Sequence, residues 1–322
     1  MSENPGKVVY QFSAPAKRAV NSIAFSADGK LLAIAQESGR EDSPTLSLVR
    51  TETGECVQII ERTEECSNGV YRVVFDTARN QLIYVAQANG GFSLNIYNLD
   101  LGTRESLDTC RKPMMQHGLS LDKNNHYLLV AGLPIKLWDL ETGKLAKSIS
   151  IQKDEMDEDN ELDSLISAVL SANSKHVIVG GIEQGNIALY DVKTENFIKN
   201  YTGSFEDIQQ VAFNHTGQQV AAVSSYGHGI FLWNTTNGKR ILESIFNEDI
   251  DLIWAISFSP KENYLALGHV SSYMVLYNSD DGSEIIADKL HDGRVYDVCF
   301  SSDGKLLASA GEDAKIFIRS LH

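Results

Sequence analysis

The 322-residue chain has few cysteines and prolines and no long apolar run. Its six prolines and 24 glycines exclude collagen-like and low-complexity chains and favour a globular fold. No apolar run approaches the length of a membrane-spanning helix, and the N-terminal residues do not form a basic and apolar signal region. The sequence therefore predicts a cytoplasmic protein, or a nuclear one in a eukaryote.

The four cysteines, Cys56, Cys66, Cys110 and Cys299, include no Cys-x-x-Cys pair. Reduced thiols are the favoured interpretation for an intracellular chain, with a Cys56–Cys66 disulfide as the alternative. The eight histidines contain no pair at metal-ligand spacing, and no metal site or cofactor is predicted from them. The acidic segment 153–163 favours a solvated loop over a calcium site because the turn glycine of a calcium loop is missing.

Basic residues are scarce as well. The chain has 28 Lys and Arg against 43 Asp and Glu, a net charge of −15. Binding to nucleic acid or to an anionic membrane in general needs a basic surface, so both are disfavoured. The sequence also lacks a P-loop, a Gly-x-Ser-x-Gly elbow, a His-Glu-x-x-His helix and a dinucleotide fingerprint, and these absences favour a non-catalytic protein.

What the chain does contain is a repeat. A short apolar run followed by a Gly-, Asn- or Asp-containing turn and a second run recurs seven times, at intervals of about 42 to 50 residues. Turns of this composition and short alternating runs predict antiparallel strands, and this spacing suits four-stranded propeller blades. The seven inner strands begin near Val20, Val70, Gln116, Leu165, Ile208, Ile253 and Val295.

The last repeat carries the fullest pattern. His291, the Val-x-x-Val-x-Phe run at 295–300, the turn 302–304, the run 307–309 and Asp313 follow one another in a specific order. In that order the chain resembles one unit of the WD-repeat β-propeller family. Where the family has a Trp-Asp pair, the chain has Trp138-Asp139, the near matches Trp233-Asn234 and Tyr190-Asp191, and the departure Arg319-Ser320.

The resemblance covers about residues 8–321 and implies the fold class: an all-β, seven-bladed β-propeller of four-stranded antiparallel blades. We expect residues 1–322 to form a single domain. The seventh unit has no outer strand, whereas the strand predicted at about residues 8–14 belongs to no unit. Pairing the two would close the ring and cover an open sheet edge.

The resemblance also implies structural roles. In the family, a histidine at the position of His291 reaches a buried serine and the turn aspartate of its own blade. The matching residues are Ser309 and Asp313, but the family's tryptophan partner is replaced by Arg319. The aromatic residues of the Trp-Asp positions are expected to pack between blades. The predicted structural residues are His291, Ser309, Asp313, Trp138, Asp139, Trp233, Tyr190 and Asp191.

The second residue of each inner strand is expected at the rim of the central channel on the top face. These residues are Asn21, Tyr71, His117, Ile166, Gln209, Trp254 and Tyr296. Three large aromatic side chains and a histidine are typical of an interface hot spot. The alternative, equally weighted, is that they fill the mouth of the channel.

The loops expected on this face are acidic and include Glu37, Glu61, Asp292 and Glu312, with Arg294 as an exception. Carboxylates around aromatic side chains suit a peptide that bears Lys or Arg, through charge pairing and cation–π contact.

The sequence thus predicts a non-catalytic protein-interaction scaffold that acts within a multi-protein complex. Its partner-binding residues are predicted to be Tyr71, His117, Gln209, Trp254, Tyr296, Asn21, Arg294 and Glu312. Two alternatives stay open at this point. One is a hydrolase or lyase that uses carboxylates and His117 in the channel mouth, and the other is a sensor that binds a small ligand there.

Overall fold

The computed structural model describes residues 6–39, 42–63, 68–88, 91–110, 118–132, 134–150, 167–182, 186–201, 208–224, 229–244 and 252–321. These ranges contain 28 β-strands and no helix, and hence none long and apolar enough to cross a membrane. The strands form seven four-stranded sheets in which every pairing is antiparallel. The chain divides into two compact units, one formed by Met1–Pro113 with Phe246–His322 and one by Met114–Ile245.

The first unit holds blades one, two, six and seven. Blade one is β2 (Val20–Phe25), β3 (Leu31–Gln36), β4 (Pro44–Arg50) and β5 (Cys56–Arg62). Blade two is β6 (Gly69–Asp76), β7 (Gln81–Ala88), β8 (Gly91–Asn98) and β9 (Thr103–Cys110), and blade six is β22 (Ile253–Phe258), β23 (Tyr264–His269), β24 (Tyr273–Asn278) and β25 (Glu284–Lys289). Blade seven is β26 (Val295–Phe300), β27 (Leu306–Gly311), β28 (Lys315–Ser320) and the N-terminal β1 (Lys7–Ser13).

The second unit holds blades three, four and five. Blade three is β10 (Leu119–Leu121), β11 (Tyr127–Val130), β12 (Ile135–Asp139) and β13 (Lys144–Ile149). Blade four is β14 (Ser167–Leu170), β15 (His176–Ile182), β16 (Asn186–Asp191) and β17 (Phe197–Tyr201). Blade five is β18 (Ile208–Phe213), β19 (Gln219–Ser224), β20 (Ile230–Asn234) and β21 (Arg240–Ser244). The predicted fold class, an all-β propeller of seven four-stranded antiparallel blades, is confirmed.

Burial decreases from the second strand of a blade to its outer strand. The second strand is covered on both faces, so β3 and β19 are buried over almost their whole length. The outer strands β5, β17 and β25 bury at most one side chain each. The apolar core therefore lies between neighbouring sheets, as where Ile34 of blade one packs with Ile316 and Ile318 of blade seven.

The third strand of most blades ends in Asp or Asn because that side chain closes the following turn. The Oδ1 atom of Asp139 accepts the backbone N–H groups of Glu141 at 2.9 Å and Thr142 at 3.0 Å. These bonds satisfy donors that the turn leaves without a ladder partner. The same bonds to the turn are formed by Asn98, Asp191, Asn234 and Asn278.

The N-terminal strand β1 completes blade seven. It pairs antiparallel with β28, with Lys7 opposite Ser320 and Ser13 opposite Lys315. Its side chains alternate strictly, so that Tyr10 and Phe12 pack on the apolar cluster between blades seven and one while Val9 and Gln11 face outward. The strand covers the edge of β28, which otherwise presents unpaired backbone groups.

Neighbouring blades are joined by hydrogen bonds to the third residue of an inner strand, counted from the start of each sequence repeat (Val20, Val70, Leu165 and Val295). The Oδ2 atom of Asp297 in blade seven accepts the N–H of Ile23 in blade one at 2.9 Å. The Oγ atom of Ser22 accepts the N–H of Val73 in blade two at 3.3 Å, and in the second unit Ser167 accepts that of Val211 at 3.2 Å. Each bond satisfies a backbone donor that is buried at the contact of two blades.

Asp297 carries more of these bonds than its counterparts. Its Oδ1 atom accepts the N–H of Val298 at 3.1 Å and lies 3.1 Å from Nη1 of Arg72, the third residue of the inner strand in blade two. The carboxylate side chain is 4% exposed. One buried charge therefore contacts three consecutive blades.

We expect truncation of Phe12 to weaken the closure of blade seven. Phe12→Ala removes half-buried apolar surface from the contact of blades seven and one and should lower the free energy of unfolding by about 2 kcal/mol. The matched control Val9→Ala, on the exposed side of the same strand, should change it by less than about 0.5 kcal/mol. Urea denaturation followed by circular dichroism measures both, and equal losses would contradict the assigned register.

We expect Asp297→Ala to lower the free energy of unfolding by about 3 kcal/mol because it leaves the Arg72 guanidinium without its counter-charge. Arg72→Ser introduces the residue found at Ser22 and Ser167. The double variant should therefore lose less stability than the sum of the two single variants. Purely additive losses in urea denaturation would show that the two charges do not interact.

Candidate functional site

Five of the predicted binding residues occupy the same local structure, a β-bulge. In the inner strands of blades one, two, five, six and seven, the pairing register shifts across one residue, which therefore has no partner opposite it. A bulge bends the strand and redirects the side chain of the extra residue. The bulged residues are Asn21, Tyr71, Gln209, Trp254 and Tyr296. His117 and Ile166 lie outside the described residues.

Four of these five residues belong to the first unit, and two of them form an aromatic pair. The rings of Trp254 in blade six and Tyr296 in blade seven lie 5.6 Å apart at 45°. Both side chains are half-buried. The first residues of their strands, Ile253 and Val295, are buried beneath them and fix the strand ends.

Glu37 acts electrostatically on both Tyr71 and Tyr296. Its backbone forms an isolated antiparallel bridge with Gly69, two residues before Tyr71. Gly69 has a φ of 99°, and a Cβ atom there would lie 2.5 Å from the carbonyl oxygen of Gln36. Only glycine fits this contact of blades one and two. The bridge thereby sets the Glu37 side chain beside the bulge of blade two.

Tyr71 is held from two sides in blade two. Its hydroxyl donates to Oε1 of Gln87 at 2.6 Å, and its ring meets the edge of Phe92 at a centroid distance of 5.7 Å. The ring is half-buried and keeps one exposed side. We call the group Trp254, Tyr296, Tyr71, Glu37 and Glu312 the aromatic surface.

Glu312 and Arg294 border the aromatic surface at blade seven. Oε2 of Glu312 accepts the backbone N–H of Arg294 at 3.2 Å and lies 4.0 Å from its Nε, and each side chain is 50% exposed. Arg294 therefore neutralises part of the acidic charge, whereas among the described residues no cation lies at ion-pair distance from Glu37.

The carboxylates Glu37 and Glu312 affect the pKa values of the Tyr71 and Tyr296 phenols. Burial raises the pKa of Tyr71, and the charge of Glu37 raises it further. Burial also raises the pKa of Tyr296, as do Glu312 and Glu37, while Arg294 partly opposes them. Negative potential at both rings disfavours phenolate and favours a bound cation.

The remaining predicted binding residues are placed differently. Asn21 donates from Nδ2 to the carbonyl oxygen of Val70 at 3.0 Å and so joins blades one and two. Gln209 occupies the bulge of blade five in the second unit and is half-buried.

The predicted structural histidine forms a network without the family's tryptophan. Nε2 of His291 lies 2.9 Å from Oγ of Ser309, and Nδ1 lies 3.0 Å from Oδ1 of Asp313. The edge of Phe317 contacts the imidazole at a centroid distance of 4.7 Å. The other oxygen of Asp313 accepts the N–H of Asp292 at 3.0 Å, so the network fixes the loop that carries Arg294.

Arg319, in place of that tryptophan, points elsewhere. It is 4% exposed and forms an ion pair with Asp288 on the outer strand of blade six. In the second unit, Trp233 is 2% exposed and stacks on Phe231 with ring planes 14° apart. Trp138 is 9% exposed, and the edge of Phe197 contacts Tyr190.

The expectation that Glu61 belongs to an exposed acidic loop is wrong. Its side chain is fully buried on β5, where it accepts hydrogen bonds from the Tyr84 hydroxyl and from Nη1 of Arg104 at 2.8 and 3.0 Å. A buried carboxylate requires such partners, and both come from blade two. The acidic segment 153–163 of the prediction lies outside the described residues.

Sequence reasoning missed the bulges, the Gly69 bridge and the Arg72–Asp297 pair. The bulges leave no signal, because Val20–Phe25 reads as an ordinary strand. Asp297 did leave a signal in the sequence, because it is a lone carboxylate within an apolar run and stands at the repeat position of Ser22 and Ser167.

The four-stranded blades, the inter-blade bonds and the histidine network define the class of a repeat β-propeller. Comparison with known families matches the WD domain, G-beta repeat family at residues 6–40 and 284–320, which include β1 and blade seven. The resemblance to the WD-repeat family is thereby confirmed by a family match at both ends of the chain.

Three relatives illustrate the similarity. WD repeat-containing protein AAC3 of Dictyostelium discoideum is 26% identical over 49% of this chain and 32% of its own length. The COMPASS component SWD3 of Saccharomyces cerevisiae is 22% identical over 69% of this chain and 65% of its own length. The U3 small nucleolar RNA-associated protein 21 homolog of Schizosaccharomyces pombe is 24% identical over 55% of this chain and 18% of its own length. Each match thus spans less than two thirds of the relative.

The histidine network makes a prediction about pH. Burial by itself raises the pKa of Asp313, but the hydrogen bonds from His291 and from the Asp292 N–H outweigh it and hold the pKa below the ordinary value of 3.8. A lowered pKa stabilises the fold above the ordinary value, and this stabilisation is lost as the pH falls through the folded-state pKa.

Asp313→Asn should therefore lower the free energy of unfolding by about 1–2 kcal/mol at pH 6–7. The difference from wild type should shrink below pH 3.8, the ordinary value, where the wild-type carboxylate becomes protonated. Urea midpoints between pH 3 and 7 measure this, with the exposed Glu284→Gln as the control. A difference that does not depend on pH would argue against a charged Asp313 in the network.

Proposed function

We propose that the protein is a non-catalytic interaction scaffold that binds a Lys- or Arg-bearing segment of a partner protein on the aromatic surface. The observation that carries the proposal is the Trp254–Tyr296 ring pair beside Glu37 and Glu312. A half-buried aromatic pair supplies apolar contact area, and ring faces attract cations. The two carboxylates supply the complementary charge.

The held geometry of the surface supports this proposal. Tyr71 is fixed by Gln87 and Phe92, and Glu37 is fixed by its bridge to Gly69. Side chains ordered before binding lose less conformational entropy when a partner docks. The name of the yeast relative SWD3 describes a component of an assembly, and this supports a role for the present chain within a multi-protein complex.

The triple variant Tyr71→Ala, Trp254→Ala and Tyr296→Ala should abolish capture of the partner. Truncation of a hot-spot residue costs about 2 kcal/mol or more, roughly 30-fold in affinity for each residue. The melting temperature should change little, because none of the three side chains is fully buried. Affinity capture from native lysate with mass spectrometry measures binding, and Tyr273→Ala with Phe197→Ala serves as the control on exposed aromatic residues elsewhere.

A second pair of substitutions tests the charge. Glu37→Gln with Glu312→Gln keeps side-chain shape and the acceptor for the Arg294 N–H but removes two negative charges. It should weaken capture and flatten its dependence on salt, because screened charge pairs contribute less as ionic strength rises. A partner that binds the triple variant as well as wild type, or binds independently of salt, would contradict the proposal.

A further inference from the structure

A cleft in the second unit, between blades three and four, has a chemistry opposite to that of the aromatic surface. Its volume is about 430 Å³, and Tyr127, Leu137, Ala146 and Val192 give it an apolar lining. Three lysines, Lys147, Lys175 and Lys193, also line it, together with Ser174 and one carboxylate, Asp191, whose Oδ1 accepts hydrogen bonds from the N–H and hydroxyl of Thr194. A basic and apolar cleft is unexpected in a chain with a net charge of −15.

Hydrogen bonds hold the walls of the cleft in place. Nζ of Lys147 on the outer strand of blade three donates to the carbonyl oxygens of Val192 at 2.6 Å and Lys193 at 2.8 Å, and lies 3.1 Å from Oε1 of Glu195. Oγ of Ser174 donates to Oδ2 of Asp122 at 2.9 Å across the same two blades. The Lys147 ammonium group therefore bonds within the wall of the cleft, while the ammonium groups of Lys175 and Lys193 remain available to a ligand.

Lys175 and Lys193 occupy two turn positions at which the other described blades do not have two cations. In each blade the first residue after the third strand donates its backbone N–H to the carbonyl oxygen of the residue that precedes the second strand, as Val192 does to Lys175 at 2.8 Å. The two positions compared are this acceptor residue and the residue that follows the donor. The side chains at these two positions therefore lie side by side. The described pairs are Lys30 with Glu52, Asn80 with Asp100, His126 with Glu141, Gln218 with Thr236, Asn263 with Asp280 and, in blade four, Lys175 with Lys193.

In blades two and six the two side chains of the pair form a hydrogen bond. Nδ2 of Asn80 donates to Asp100 at 2.7 Å and Nδ2 of Asn263 donates to Asp280 at 2.5 Å. In the described blades, only blade four places two cations at these positions. Like charges so close repel each other, and an anion bound between them would relieve that cost.

A third cation adjoins the pair. The backbone N–H of Lys123 donates to the carbonyl oxygen of Ala172 at 3.0 Å, which brings the turn of blade three against the turn of Lys175. Lys123, Lys175 and Lys193 are all exposed, and within the described ranges none has a carboxylate at ion-pair distance.

We propose that this cleft binds an extended, acidic segment of a second partner protein. One large apolar side chain enters the cleft, and flanking carboxylates pair with Lys175 and Lys193. Three lysines on an acidic chain are too few for a nucleic acid, whose affinity depends on many phosphate contacts. The proposal does not depend on the aromatic surface, because the two sites share no residue.

The test uses the full chain and defined peptides of twelve residues. One fluorescein-labelled set carries Leu, Ile or Phe flanked by Asp or Glu in a Gly-Ser context. A second set has Lys in place of the acidic residues, and a third has Ser in place of the apolar residue. Fluorescence anisotropy should give at least tenfold tighter binding for the first set than for either other set.

Two variants locate the binding. Lys175→Glu with Lys193→Glu should weaken the first set at least tenfold, while Lys239→Glu with Lys289→Glu, the same charge change on exposed lysines outside the cleft, should alter it less than twofold. Ala146→Trp should fill the cleft and weaken binding without a change of charge. Equal binding of all three peptide sets, no loss in either cleft variant, or binding only to RNA or to phosphatidylserine vesicles would overturn the proposal.

Discussion

The structure depends on one repeated interaction, the bond between the third residue of an inner strand and a backbone N–H of the next blade. Asp297, Ser22 and Ser167 all form it. An N–H buried between two sheets costs about 1–3 kcal/mol if it is left without an acceptor, so a polar residue must interrupt each of these apolar strands. Blade six has Ala255 at this position, and there Val298 bonds to the neighbouring Asp297 instead.

This requirement on the third residue has a consequence for the second. In blade seven the first residue, Val295, is buried and the third, Asp297, bonds to blade one, so Tyr296 at the bulge is the residue left to face outward. The side chains of Trp254, Tyr296 and Tyr71 share this position, and the Gly69 bridge adds Glu37 beside them. The aromatic surface thus depends on the bulges at the starts of these inner strands.

The period of the strands, the glycine and asparagine turns and the unpaired N-terminal strand made the fold predictable from sequence, since each reflects local backbone preference or a sheet edge that must be covered. The His291 contacts followed the order of the family's residues. Features that depend on tertiary contact were not predictable. Glu61 reads as a solvated acid at a strand end, yet Tyr84 and Arg104 from the next blade bury it. Lys175 and Lys193 stand 18 positions apart and become a pair only through the backbone bond that joins their two turns.

The bulge also separates the residue that can recognise a partner from the residues that maintain strand pairing. A side chain outside the ladder contributes little to strand pairing, so the five bulged positions can exchange Asn, Gln, Tyr and Trp while the strands around them keep the same register. Each of these five blades then offers one interchangeable position for recognition on an unchanged frame. Divergent members of such a lineage could acquire new partners through a handful of substitutions, without the compensating changes that a repacked core would demand.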